Sequence, residues 1–479
     1  MGVPTGSPAP HRSPPVVMGP FHFDLPPDLT PTGSAAAAGG WLLNGYDHTP
    51  VPAKRTVAAT RLSLLRDETE SSHLAVAWPT ADGSRTVTTS TLRPRPEPYR
   101  LVVELARGAV NRIRAFVAEL TSIHVALPEP LAADIAALTR GFGRAVLGTA
   151  DTPDDQPAAV LDAAGRVADR LADLLTGQRF QTRAQRGSLD TRFGCRVGRP
   201  LSPADADTYA ATFNAIRIVP DWEAIESSEA GFNWSTLDPL VRWATDAGLK
   251  VSIGPIVDVA DGAFPQWLRA WQGDVPTLTA FLSDFVATVV ARYRQQCRVW
   301  QLLNGFNHAD ALGLGEDDRV KLAARLLETA REVDPDGTWL IGLSQPWGDY
   351  LAKPGHAYSP FVLVDTLLRA GFDLGGLELE LLAGPADRCA PPRDPLDVIQ
   401  LLESYDTLGV PLDIALGRPL PDAAAVGLVE TCLAVPTVQA VHWDSFVPGD
   451  PSCRVPGSSL LVAPDTLAEF HRLRTTHLR

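Results

Sequence analysis

The sequence predicts an α/β fold: a TIM (β/α)8 barrel on the C-terminal side, preceded by a small β-rich, sandwich-like domain and a helical connector. Three observations predict it. From Phe193 onward, short apolar runs alternate with amphipathic helical patterns until eight β-α units are complete. Between Thr60 and Leu92 the period is two, broken at Asp82-Gly83, as in antiparallel strands. From Tyr99 to Leu175 the period is that of helices. The expected division is a flexible leader at 1–38, a β-rich domain at 39–98, a helical connector at 99–190 and the barrel at 191–479.

Each element has its own signal. Met1 to Phe21 is rich in Pro, Ser and Gly, and Ser34 to Gly40 is all small residues, which predicts the leader. Order is expected from Gly40-Trp41-Leu42-Leu43. Arg61 to Leu64, Leu74 to Trp78 and Thr86 to Leu92 read as strands. Leu101, Leu105, Val110, Ile113 and Val117 fall near one helical face, and Pro128 breaks that run. Leu131–Leu147 and Ala158–Leu175 read as two further helices, separated by a loop over Asp151–Pro157. Arg107, Asn111, Arg112 and Arg114 are expected on a solvated or inter-domain face.

The eight barrel strands are expected at Phe193–Val197, Asn214–Val219, Leu249–Gly254, Arg298–Leu303, Trp339–Ser344, Gly375–Leu382, Pro411–Leu416 and Val438–Trp443. Helical patterns such as Leu278–Tyr293 and Arg319–Val333 follow them. An open doubly wound sheet is the alternative, and the lack of a Gly-rich loop after the first strand disfavours it.

Composition narrows the function. A formal net charge of -14 disfavours nucleic acid as partner, because phosphate binding needs basic surface. The N-terminal stretch has no apolar core of signal-peptide type, and no apolar run approaches the ~20 residues that cross a bilayer, so neither export nor a membrane partner is expected and the location expected is cytoplasmic. Cys195, Cys297, Cys389, Cys432 and Cys453 are scattered and lack metal-ligand spacing, so reduced structural thiols are expected. No metal and no cofactor is expected.

Chemistry in such a barrel sits at the C-terminal ends of the strands. Polar groups cluster there: Asp221 and Trp222 after strand two, Asp258 and Asp261 after strand three, Asn304, Asn307, His308 and Asp310 after strand four, Ser344, Gln345, Trp347 and Asp349 after strand five. Strand six reads Leu377-Glu378-Leu379-Glu380-Leu381-Leu382. Alternation places both glutamates on one face, and three leucines suit the helix layer, so the glutamates should point inward. A buried carboxylate must be paired or have its pKa shifted. Glu380 is the candidate catalytic carboxylate, with Asp258 and Asp221 as possible partners. The competing reading is a structural ion pair of Glu378 or Glu380 with Arg217. Nine of the eleven tryptophans lie in the barrel half, and Trp222, Trp267, Trp271, Trp347 and Trp443 fall near the mouth. As a group they suit sugar rings, which stack on aromatic faces.

The barrel resembles glycoside hydrolase family 10, the endo-β-1,4-xylanase family. Phe213-Asn214-Ala215-Ile216 with Trp222, Glu226 and Gly231-Phe232-Asn233-Trp234 is similar to its second-strand region. Pro265-Gln266-Trp267-Leu268 is similar to the segment after its third strand. Tyr293-Arg294 with Trp300-Gln301-Leu302-Leu303-Asn304 resembles its Tyr-Lys … Trp-Asp-Val-Val-Asn-Glu stretch, and Trp443 with Ser459-Leu460-Leu461 its closing segment. The resemblance implies a barrel that recognises a β-linked saccharide, with Trp222, Trp267, Asn304, Asn307, His308, Gln345, Trp347 and Trp443 as candidate substrate-binding residues. It also implies where catalytic glutamates belong, and this chain departs there. The family's acid/base position falls at Gly305 and its nucleophile at or next to Leu416. Glu380 falls where the family has a Gln beside the sugar.

Retaining hydrolysis uses two carboxyls about 5–5.5 Å apart, one neutral and one ionised. Gly305 and Leu416 supply neither. Three functions stay open from the sequence: a non-catalytic or very weakly active saccharide-binding member, an O-glycosyl hydrolase with carboxylates relocated to Glu380 with Asp258 or Asp221, and a structural or assembly protein with its mouth plugged by the N-terminal region.

Overall fold

The computed structural model describes residues 19–25, 39–58, 60–80, 83–148, 156–185, 187–259, 264–308, 311–384, 388–419 and 422–478. Asp82, Asp261, Asp310, most of the Asp151–Pro157 loop and most of the expected leader lie outside them.

Eight short strands open the chain: β1 (Pro20–Asp24), β2 (Trp41–Asn44), β3 (Pro50–Val51), β4 (Lys54–Ala58), β5 (Arg61–Leu65), β6 (Ser72–Thr80), β7 (Gly83–Thr88) and β8 (Tyr99–Arg100). They form two four-stranded sheets, ordered β4-β5-β1-β8 and β3-β2-β6-β7. The expected leader is corrected at β1, which pairs antiparallel with β5 along its whole length. Its Pro-rich surroundings hid a two-residue period: Phe21 and Phe23 are both fully buried and the residues between them are not.

Three helices follow: α1 (Leu101–Ser122), α2 (Glu129–Leu147) and α3 (Pro157–Ala184). They are more than a connector. Leu105 and Ile113 of α1 and Leu171 of α3 share one apolar core with Phe21, Phe23, Leu62, Leu64, Leu74 and Val76 of the sheets. A pair of small sheets has little apolar face to bury alone, and the helices cover it.

The barrel strands are β9 (Arg192–Val197), β10 (Ala215–Ile218), β11 (Lys250–Ile253) with its continuation β12 (Val257–Asp258), β13 (Val299–Asn304), β14 (Thr338–Ser344), β15 (Gly376–Leu382), β16 (Leu412–Gly417) and β17 (Val438–Trp443). All pair parallel; β17 returns to β9 and β11 pairs with β13, which closes the ring. Between β11 and β12 the chain bends at Gly254, whose φ is +136° and where a Cβ would stand 2.2 Å from the Gln301 carbonyl oxygen, so only glycine fits.

The barrel helices are α4 (Pro203–Thr212), α5 (Trp222–Ile225), α6 (Leu237–Asp246), α7 (Val275–Tyr293), α8 (Glu316–Val333), α9 (Pro360–Arg369), α10 (Pro395–Asp406), α11 (Ala423–Ala434) and α12 (Pro464–His477). Helix α7 corrects one expectation: by length and composition it is apolar enough to cross a membrane. Here its Leu278, Leu282, Phe285, Val286, Val289 and Val290 are buried against the barrel.

The N-terminal unit is fastened to one side of the barrel. Leu396 and Ile399 of α10 belong to the N-terminal core. Arg112 of α1 bonds Asp394 at 2.5 Å and Asp397 at 2.9 Å, and the Thr86 amide donates to the Pro392 carbonyl at 2.7 Å. This places the second small sheet beside the loops that follow β14 and β15, at the barrel mouth.

Candidate functional site

Strand β15 sets the geometry. Leu377, Leu379 and Leu381 join the apolar layer between strands and helices. Glu378 and Glu380 take the other face, fully buried inside the barrel, as the alternation predicts. Cross-strand register puts Gly342 and Asp413 beside Glu378, and Ser344 and Ala415 beside Glu380. A usual barrel interior is filled by branched apolar side chains. This one holds charges.

Arg196 of β9 reaches across to Glu378 at 2.5 Å and to Glu380 at 3.0 Å. Arg217 of β10 pairs with Glu378 and with Asp413, each at 2.9 Å. Arg192 bonds Asp413 at 2.8 Å. The Ser344 hydroxyl donates to Glu380 at 2.6 Å. Above them Arg454, from the loop after β17, pairs with Glu380 and with Asp258, the latter at 2.6 Å. Arg388, from the loop after β15, pairs with Asp258 at 3.1 Å and lies 3.6 Å from Glu380. Asp444 accepts from the Val455 amide at 2.8 Å and from the Ser458 hydroxyl at 2.9 Å, with Arg196 3.8 Å away. Arg192, Arg196, Arg217, Arg388 and Arg454 thus balance Asp258, Glu378, Glu380, Asp413 and Asp444 in formal charge, which is the condition for burying ions at all.

The protonation tendencies follow from burial and partners. Burial raises Glu378, but Arg217 and Arg196 outweigh it, and the carboxyl ends below its ordinary value. For Asp413, burial wins over Arg192 and Arg217 and the pKa rises. Arg454 is pushed down to about 10, by burial first and then by Arg196. His442 sits in the same interior, and burial with the facing arginines holds it well below its usual value, hence neutral.

Chemically, the arginines favour the ionised form of Glu378, and the geometry pairs each carboxylate with cations rather than setting a proton donor beside a nucleophile. Gly305 ends β13 with φ +73°, a left-handed turn position. Leu416 pairs with Leu381, fully buried on the leucine face, away from the interior. The groups that close the mouth over Asp258 and Glu380 come from the barrel's own loops; most of the leader expected to form an N-terminal plug lies outside the described residues.

The other sequence candidates are scattered in role. Glu380 and Asp258 are brought together, sharing Arg454 and Arg388. Asp221 is not part of that group: it is exposed and caps α5 by accepting from the Ala224 amide at 3.1 Å. Trp222 offers no face to a ligand; it is 3% exposed, stacked on Phe285 at 4.1 Å, and donates to Glu226. Asn307 is tied at both ends of its amide to the Ser344 backbone. Asn304 is fully buried against Gly342, and a Cβ there would meet its side-chain oxygen at 2.3 Å. Trp267 is half-buried and donates to the Glu226 carbonyl. His308 lies 5.5 Å from the Tyr350 ring. Trp443 is 1% exposed, with its indole nitrogen bonded to the Ser458 carbonyl.

Three candidates line open space. Trp347, half-buried with Arg393 5.1 Å above its ring, lines a cavity of about 680 Å³ between the N-terminal unit and the ends of β15 and β16; Trp443 forms part of the same wall. Gln345 lines a second cavity of about 620 Å³, shared with Trp41 and Tyr350. Glu378, Asp413 and His442 have ligand atoms within 4.8 Å of one another, the spacing of a metal cage. Both carboxylates are already engaged by arginines, so the trio belongs to the ion network.

Sequence reasoning named Arg217 as a partner, which pairs with Glu378, and missed the other four arginines. Arg192, Gly194 and Arg196 alternate on one face of β9, the same period-two signal that revealed the glutamates. Arg388 and Arg454 lie in irregular loops, where no periodicity points to them.

Comparison with known proteins agrees with the barrel. Residues 190–337 match the family model for glycosyl hydrolase family 10. Endo-1,4-beta-xylanase 3 of Hypocrea jecorina is 27% identical over 192 residues, 36% of this chain and 52% of that protein. Endo-1,4-beta-xylanase A of Fusarium oxysporum f. sp. lycopersici is 30% identical over 83 residues, 17% of this chain and 25% of that protein. The chain thus spans about half or less of the length of these curated relatives. Among solved structures, native xylanase 10B from Thermotoga maritima aligns over 62% of this chain and 98% of its own, at 15% identity and a TM-score of 0.43. Over residues 190–337 the barrel of this chain is similar to glycosyl hydrolase family 10, and the curated relatives it matches there are xylanases.

Proposed function

We propose that this protein recognises a β-linked oligo- or polysaccharide without hydrolysing it by the retaining route. The observation that carries this reading is the state of the inward carboxylates. Glu380 is bonded by Arg196, Arg454 and Ser344, and Asp258 by Arg454 and Arg388. Carboxylates so engaged are poor proton donors, and Gly305 and Leu416 leave the family's own two positions without one. What such a barrel retains is binding and orientation. The saccharide is taken from the xylanase-like family match over residues 190–337 and from Trp347 and Trp443, which line the cavity at the ends of β15 and β16. The negative charge of the chain goes with a neutral ligand, with neither nucleic acid nor membrane as partner, and a cytoplasmic setting goes with imported or cellular oligosaccharides.

The test is calorimetry of the full chain against xylo- and cello-oligosaccharides. Saturable heat for at least one of them is the expected result. Its absence for all of them, with the protein folded by circular dichroism, overturns the reading.

A further inference from the structure

We infer that the cavity of about 680 Å³ at the junction of the N-terminal unit and the barrel is the binding site for a short neutral oligosaccharide. This rests on the saccharide reading above and goes further, because one wall of the site, with Thr80, Ser84, Arg85, Asp169 and Asp173, comes from outside the barrel. The size falls in the range of small-molecule sites, ~300–1,000 Å³. The place is also one where such sites form, between two packed units at the C-terminal ends of barrel strands. The space over Asp258 and Glu380 at the barrel mouth, by contrast, holds Arg388 and Arg454.

The lining selects the chemistry. The barrel contributes Trp347, an aromatic surface for a sugar ring, and Arg393, whose buried Nε has no hydrogen-bond partner. The N-terminal unit contributes Ser84 and Arg85 from β7 and Asp173 from α3. The arginines are already neutralised: Arg85 by Asp169 at 3.1 Å, Arg393 by Asp349 at 2.6 Å and Arg418 by Asp422 at 3.5 Å. Asp173 has no ion pair among the described residues, and it faces Asp169 one helical turn away. A wall of this balance accepts hydroxyls and opposes a carboxylated sugar.

Gly427, in α11, makes a clean test. It lines the cavity, and a Cβ placed on it meets nothing within 4 Å. Gly427→Leu therefore fills the site while favouring the helix. Ser84→Tyr fills it from the opposite wall, and Trp347→Ala removes the stacking surface. The full chain and these variants, each checked by thermal melting, are titrated with xylotriose, cellotriose and a trimer of galacturonic acid. The expected result is that whichever neutral trimer the wild type binds is bound at least tenfold more weakly by Gly427→Leu and Ser84→Tyr, and that the acidic trimer is bound more weakly than the neutral one. Wild-type affinity in both filled variants overturns the site and leaves the recognition reading standing. Preference for the acidic trimer overturns the neutral assignment. No binding of any trimer by the wild type overturns both.

Discussion

The two halves of the molecule bury their strands by opposite means. In the N-terminal unit, β1, β5 and β6 turn apolar side chains inward: Phe21, Phe23, Leu62, Leu64, Leu74 and Val76 pack with α1 and α3. In the barrel, apolar side chains turn outward to the helices and the interior is given to arginine–carboxylate pairs. The same period of two serves both. An apolar core tolerates loss of one member at the cost of a cavity, whereas an ion network that loses one member leaves a buried charge. The barrel interior should therefore be the more brittle part, although its pairs add little net stability over apolar replacements of the same shape.

The sharpest way to break this contrast is Arg196→Met. It removes a cation shared by Glu378 and Glu380, which keep Arg217 and Arg454, leaves the interior one positive charge short, and should destabilise the protein by about 3–5 kcal/mol. Adding Glu378→Leu should recover part of that loss, because the pair is removed together. Denaturant midpoints of the two variants check both statements; equal losses would show no coupling. Next, Leu171→Ala, fully buried in the N-terminal core, should cost about 2–5 kcal/mol, and no compensating charge change should recover it. Arg112→Ala removes the bonds to Asp394 and Asp397 that fasten α1 to α10. It should cost about 1.5–3 kcal/mol and make the junction more open to protease than either core variant does.

The smallest effect is a pH slope. Asp397 is pushed up to about 6, first by burial and also by Asp394, against the pull of Arg112. Its folded pKa lies above its ordinary 3.8, so the folded chain holds this proton more tightly. The group's contribution to stability is complete below that ordinary value and is lost as pH rises through about 6. Asp397→Asn cannot titrate, so urea midpoints measured across that interval should fall less steeply in the variant. An unchanged slope would mean that Asp397 titrates like an exposed carboxylate.

Much of the fold was legible in the sequence because the barrel strands announce themselves twice, by apolar runs and by the helices between them. The eighth strand, Val438–Trp443, falls where the pattern predicts it. The first strand of the chain, Pro20–Asp24, was hidden by flanking Pro and Gly, since two phenylalanines are too few to outweigh that composition. The site was half legible. Glu378 and Glu380 follow from alternation alone, and their burial from the leucines between them. Of their partners only Arg217 was named; the rest did not follow, because an ion pair joins strands distant in sequence: Arg196 and Glu378 are 182 residues apart. The tryptophans show the same limit, since Trp222 and Trp347 look alike in the sequence, yet one is stacked in the core and the other borders a cavity.

An overnight incubation of the full chain with β-1,4-linked xylo- and cello-oligosaccharides, read by mass spectrometry beside Glu380→Gln, separates recognition from hydrolysis. The account predicts that the oligosaccharides remain intact with both proteins. Cleavage by the wild type that Glu380→Gln lacks would contradict it and make Glu380, with Asp258, the carboxylate of a relocated hydrolytic site.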